Sequence, residues 1–326
     1  MLNLCKLLVA FLVTTIVTAH PGPDPILPRS AIQRRSTLAK RCAGHVESFN
    51  KRRMAKKALN KRWADSGRNT TVQITTEAPY YETIQNDTCV LTPEVTRGPY
   101  VWPRSQTLRQ DMTEDQVGVP LWLDVGVLDM ATCEPLPNVL LDFWHCNATG
   151  SYSSFTGLSP NTDFVKLLSE LNINITNYDL GVTDLHTDDT TWLRGMWPTN
   201  KEGLMEMKTI FPGFYTGRSI HIHVQAHTNW TVRGNGTLVS SNTVSTGQIY
   251  FEEDLSQKII ALQPYASHTQ INRTTNANDS VFSQDTAGGY NPIVSVVPAD
   301  GQDVSNSMIG YITIGVDTSA IETFNK

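Results

Sequence analysis

The residues best placed to do chemistry lie in one segment, Phe211-Pro212-Gly213-Phe214-Tyr215-Thr216-Gly217-Arg218-Ser219-Ile220-His221-Ile222-His223-Val224. Successive side chains on a strand alternate faces, so His221 and His223 point the same way while Ile220, Ile222 and Val224 pack into the opposite face. A His-x-His pair alone is a weak signal, because neighbouring histidines on a wet strand face often bind nothing. Tyr215 strengthens it. It follows the Pro212-Gly213 turn and precedes the strand closely, so its phenol can fold back towards the imidazoles, although it also reads as an ordinary strand-edge tyrosine. A phenolate oxygen beside two imidazole nitrogens suits Fe(III), a hard ion that favours anionic oxygen donors together with imidazole.

Such a site needs a rigid β framework, and the chain supplies one. Leu121–Asp129 alternates apolar with polar or small residues, and Asn138–Cys146 is a second β-like run. The turn residues Cys133-Glu134-Pro135-Leu136-Pro137 between them predict a hairpin. Ser219–His227, Gly247–Phe251 and Met308–Val316 are further strands. Helical signals are few: Asp163 is a cap for Phe164–Leu171 and Asp254 for Leu255–Leu262. The expected fold is all-β, a β-sandwich core with long loops and a few short helices.

At the level of motif, the chain resembles the intradiol ring-cleavage dioxygenases, in particular their exported single-domain branch. The pattern Pro-Gly-x-Tyr followed by Arg-x-x-His-x-His is complete as Pro212-Gly213-Phe214-Tyr215 and Arg218 to His223. A second motif, Trp-His-x-Asn followed by Gly-x-Tyr, is matched by Trp144-His145-Cys146-Asn147 and Gly150-Ser151-Tyr152. Thr92-Pro93-Glu94 and Gly98-Pro99-Tyr100 match near the start of the similarity, which runs from about Thr92 to the C-terminus. Two departures are visible: a longer stretch between Tyr152 and Tyr215, and Asn200-Lys201-Glu202-Gly203 in place of an Asp-x-x-Gly turn.

The resemblance implies a non-haem Fe(III) centre with Tyr152, Tyr215, His221 and His223 as metal ligands, Tyr215 and His221 being axial. It implies a catechol-type aromatic and O2 as substrates, with ring opening between the hydroxylated carbons to a cis,cis-muconate. Tyr215 and Arg218 are the implied catalytic residues, the first taking a substrate proton and the second stabilising developing negative charge; a structural salt bridge is the plainer reading of Arg218. Tyr100 and Trp102 are candidate substrate-binding residues, equally readable as packing. His145 reads as core, and His186 with Asp184, Asp188 and Asp189 as a solvated face. The alternatives are a secreted copper or zinc protein, or a non-catalytic sandwich that binds phenolics or glycans.

Residues 1–19 have the layout of a secretory signal peptide: Lys6, an apolar run from Leu7 to Val17, then Val17 and Ala19 before His20. Secretion fits the eight sequons at Asn69, Asn86, Asn147, Asn174, Asn229, Asn235, Asn272 and Asn278. It also fits the even set Cys42, Cys89, Cys133 and Cys146, which allows three pairings. Residues 1–62 hold 13 of the 26 basic and 2 of the 31 acidic side chains, leaving the remainder at −16. This basic segment lacks sustained apolar periodicity and carries the dibasic pairs Lys40-Arg41 and Lys61-Arg62. Residues 20–85 are therefore expected to be a pro-segment, linker or flexible arm, dispensable at least over 20–62, ahead of a catalytic domain at 86–326. Neither a nucleic acid nor a membrane is an expected partner.

Overall fold

The computed structural model describes residues 29–64, 89–90, 98–102, 107–178, 183–232, 238–286 and 290–318. The expected signal peptide, the Thr92-Pro93-Glu94 motif and the sequons at Asn69, Asn86 and Asn235 lie outside them. Among these residues no helix is long and apolar enough to cross a membrane.

Runs of apolar residues at the two-residue period form β1 (Cys89–Val90), β2 (Pro120–Asp129), β3 (Leu140–Trp144), β4 (Arg194–Pro198), β5 (Leu204–Ile210), β6 (His221–Val232), β7 (Leu238–Tyr250), β8 (Ser295–Pro298) and β9 (Met308–Val316). One sheet has the order β1-β9-β2-β5, with β8 beside Met308–Tyr311 and β1 beside Ile314–Gly315 of β9. The other has the order β4-β3-β6-β7. Leu121, Leu123, Val125 and Val127 of the first sheet pack in one cluster with Leu141, Phe143, Ile222, Val224 and Ile249 of the second. Each such side chain taken from water contributes about 1.5–3 kcal/mol, so this interlayer core makes the sandwich.

The expected hairpin between β2 and β3 is not formed. β2 lies between β9 and β5, and β3 between β4 and β6, so both edges of each are already paired. The intervening chain arches from one layer to the other, with Cys133 and Asn138 in left-handed conformations (φ 64° and 56°). Of the expected helices, α2 (Phe164–Glu170) starts where Asp163 accepts from the Val165 amide at 3.0 Å. The other, α3 (Glu253–Ile260), begins earlier than expected: Asp254 sits in its first turn rather than at its cap. There its charge favours the N-terminal end of the helix dipole.

The basic segment read as an arm differs most from expectation. Residues Arg29–Ala64, free of proline and rich in Ala, Lys and Arg, form one helix, α1. Cys42, Val46 and Phe49 supply its buried apolar stripe, which packs on Leu128, Met130 and Cys133. Gly126 makes room for it: a Cβ there would lie 2.4 Å from Phe49 Cε1. A Cys42–Cys133 disulfide ties the helix to the arch. Cys146 is buried and has no disulfide partner among the described residues, outside which the Cys89 side chain lies.

One turn further along α1, the fully buried Arg53 donates through Nε to Asp124 Oδ1 at 2.8 Å and through Nη1 to the Ile312 carbonyl at 3.2 Å. α1 thus covers the outer face of the first sheet. Arg53→Met strands Asp124 in the interior and is expected to cost roughly 3–5 kcal/mol in denaturant unfolding. A chain starting at Trp63 lacks the disulfide and the ion pair, and is expected to be recovered unfolded or aggregated. Full stability of either protein would show α1 to be an accessory.

Candidate metal centre

Two loops and one strand deliver four donor groups to one place. β6 carries His221 and His223 on one face, while Ile222, Val224 and Ala226 fill the interlayer core on the other. The Tyr152 loop is shaped by Asn147, whose side-chain oxygen accepts from the Thr149 and Ser151 amides at 3.1 and 3.0 Å. Gly150 takes φ +88° in that turn. Gly213 lets the Tyr215 loop lie against it: its amide donates to the Asn147 carbonyl at 3.1 Å, and a Cβ would come within 2.4 Å of that oxygen.

All four side chains are buried. The Nε2 atoms of His221 and His223 are 3.1 Å apart, and the Tyr215 hydroxyl is 3.4 Å from His221 Nε2. The Tyr152 ring lies 5.6 Å from that of Tyr215 and 6.2 Å from that of His223, centre to centre. His221 Nδ1 contacts the Ser219 carbonyl at 2.7 Å, which puts the proton on Nδ1 and leaves the Nε2 lone pair free. Trp144 stacks on His223 at 4.8 Å and 2° and fixes its plane.

Burial, then the neighbouring charges, hold both imidazoles well below their ordinary pKa, so they are neutral donors. Burial pushes the Tyr215 phenol up to about 12 against the opposing charge of Arg218, and Tyr152 well above its usual value. Among the described residues the buried Tyr152 oxygen has no hydrogen-bond partner, an expensive arrangement unless something binds there. Nitrogens 3.1 Å apart suit two donors sharing one ion at about 2.1 Å each. Two imidazoles and two phenols facing one another therefore fit a multivalent cation, which would invert the burial effect and favour phenolates.

Arg218 is buried beside this group. Its Nε donates to both oxygens of Asp279, at 3.2 and 3.0 Å, and Nη2 donates to Gln248 Oε1 and to the Tyr250 hydroxyl. Asp279 also accepts from the Ser219 amide at 2.8 Å and caps α4 (Ser280–Asp285) through Val281 N at 2.9 Å. Although burial opposes its charge, Asp279 holds the Arg218 guanidinium well above its ordinary pKa. The plainer reading of Arg218, a salt bridge, and its position beside the donors are thus both realised. Asp279 was not picked out from the sequence, where it is one residue of the Asn278 sequon.

Of the remaining candidates, Tyr100 is buried and stacks on Tyr152 at 4.5 Å and 15°. Trp102 stacks instead on His186 at 4.4 Å, and His186 contacts Asp184. The segment bearing Tyr100 and Trp102 lies over the donors, for a Cβ on Gly98 would sit 3.1 Å from His223 Cε1. His145 is a core residue bound to Thr209 and the Cys146 carbonyl. Asp188 accepts from Thr190 in its own loop and from Thr156, 32 residues away. Arg194 was also missed; it bonds the Tyr100 and Ser153 carbonyls.

No protein-family model matches the chain, and no curated protein does. Among solved structures it is similar to an intradiol ring-cleavage dioxygenase from Tetranychus urticae, with 27% identity and a TM-score of 0.54 over 70% of this chain and 95% of that one. A second dioxygenase structure matches with 27% identity and a TM-score of 0.53 over the same shares. The dioxygenase domain of a carbohydrate-binding fusion protein from Streptomyces sp. SirexAA-E matches with 24% identity and a TM-score of 0.39 over 69% of this chain and 97% of that one. The all-β fold and the resemblance read from the two motifs both stand.

The geometry predicts that Tyr152→Phe, Tyr215→Phe, His221→Ala and His223→Ala each retain far less metal than the wild type in elemental analysis of the folded protein, while His145→Gln retains it. Full metal content in His223→Ala would remove that residue from the donor set.

Proposed function

We propose that this chain, which is similar in fold and motifs to intradiol ring-cleavage dioxygenases, is an exported non-haem Fe(III) enzyme of that kind. It would open a catechol-type aromatic between its two hydroxylated carbons, inserting both atoms of O2 to give a cis,cis-muconate. The observation that carries this is the buried convergence of Tyr152, Tyr215, His221 and His223, a donor set with two phenols and no carboxylate. Phenolates favour the ferric state, and they argue against the two-histidine, one-carboxylate site of Fe(II) oxygenases.

Tyr152, Tyr215, His221 and His223 would hold the iron. When bound, Fe(III) would draw electron density from a chelating catecholate and leave a ring carbon reactive towards O2. The protein's own groups do the rest. Tyr215, as phenolate, would take a catechol hydroxyl proton onto its oxygen. Arg218, kept cationic by Asp279, faces negative charge as it develops on the substrate. Tyr100 covers the Tyr152 ring, and burial of the donors excludes bulk water. Export is supported by the Cys42–Cys133 disulfide, which suits an oxidising compartment.

Two outcomes test this reading. Oxygen uptake with a panel of catechols should yield a colourless, ultraviolet-absorbing muconate; a yellow semialdehyde, or a need for reductant, contradicts intradiol chemistry. Arg218→Ala should keep its iron yet lose about 10²–10³-fold in kcat, the cost of removing one group that stabilises transition-state charge. Unchanged kcat would reduce Arg218 to a structural ion pair.

A further inference from the structure

One row of residues crosses the second sheet through the site. Arg194 of β4 pairs in register with Trp144 of β3, Trp144 with His223 of β6, and His223 with Gln248 of β7. Gln248 accepts from Arg218, so the row ends on an arginine at each side. Arg218 has its carboxylate, Asp279. Arg194, equally buried, makes no ion pair among the described residues: Nε donates to Ser153 Oγ at 2.9 Å, and Nη2 to the Ser153 and Tyr100 carbonyls at 2.8 and 2.9 Å. A guanidinium buried against neutral oxygens is costly and calls for a compensating role.

What those oxygens belong to indicates the role. Ser153 is the residue after Tyr152, and Tyr100 stacks on the Tyr152 ring at 4.5 Å. Arg194 therefore grips both the backbone next to Tyr152 and the backbone of Tyr100, whose ring stacks on that of Tyr152, and its own plane is backed by Phe155 at 5.6 Å. Burial pulls the guanidinium down to about 10, opposed first by the charge of Asp142. The planar fork is needed, since a lysine ammonium cannot span three oxygens in one fixed plane.

We infer that Arg194 is a positioning residue for the Tyr152 donor, acting through Ser153 and Tyr100 from the side of the site opposite Arg218. This rests on the reading of Tyr152 as an iron ligand. Arg194 touches neither the donors nor the substrate, so its loss alters the geometry of the Tyr152 phenolate rather than deleting a ligand.

The test uses Arg194→Lys and Ser153→Ala in the full-length, iron-loaded protein, with Arg109→Gln as the control. Arg109 braces the same strand through the Arg194 carbonyl at 2.8 Å but contacts none of the donor loops. In Arg194→Lys the visible tyrosinate-to-iron band should shift, and iron affinity or kcat should fall about 10–100-fold, the usual cost of losing a group that orients a metal ligand. Ser153→Ala should shift the band less, and Arg109→Gln should lower the melting temperature and leave the band in place. An unmoved band with unchanged kcat in Arg194→Lys overturns the inference, as does an equal shift in Arg109→Gln. A wild-type protein with no such band would instead overturn the iron reading itself, and this proposal with it.

Discussion

The two-residue period of β6 is the constraint on which the rest depends. A strand buried on both faces must satisfy two environments, and β6 gives Ile222, Val224 and Ala226 to the sandwich core and His221 and His223 to the opposite side. A slip of one residue would send the imidazoles into the core and the isoleucine towards the two tyrosines. The interlayer packing that fixes register therefore also fixes where the two nitrogens meet.

Burying four polar donors away from water is unfavourable unless their charges and lone pairs are matched. Matching comes in layers outside the donors. Ser219 sets the His221 tautomer, Trp144 holds the His223 plane, and Asp279 keeps Arg218 charged while capping α4. Gly213 and Asn147 lock the two tyrosine loops together. The first sheet contributes none of the four donors. Its part is to close the core, and α1 in turn shields its outer face through Arg53 and the Cys42–Cys133 bond.

The donor side chains were legible in the sequence because alternation on a strand and turn glycines act over a few residues. His221, His223 and Tyr215 fall within one such stretch, whereas Tyr152 entered only through the resemblance of Trp144–Tyr152 to a family motif. What was not legible depends on contacts between distant segments. The hairpin expected from Cys133–Pro137 failed because turn residues do not say which sheet the next strand joins. α1 was hidden because its buried apolar side chains among the described residues, Cys42, Val46 and Phe49, stand amid basic residues, and it is tied to the sheet by an ion pair to Asp124, 71 residues away. Asp279 and Arg194 looked like ordinary charged residues until the fold set each beside a donor loop.

The central claim is that two phenolates and two imidazoles hold a ferric ion, and the optical spectrum of the purified protein, with metal content measured on the same sample, tests it most directly. The account predicts a reddish protein with about one iron per chain and a visible tyrosinate charge-transfer band that does not require added reductant. A colourless protein carrying stoichiometric zinc, or one with the spectrum of a copper centre, would contradict it.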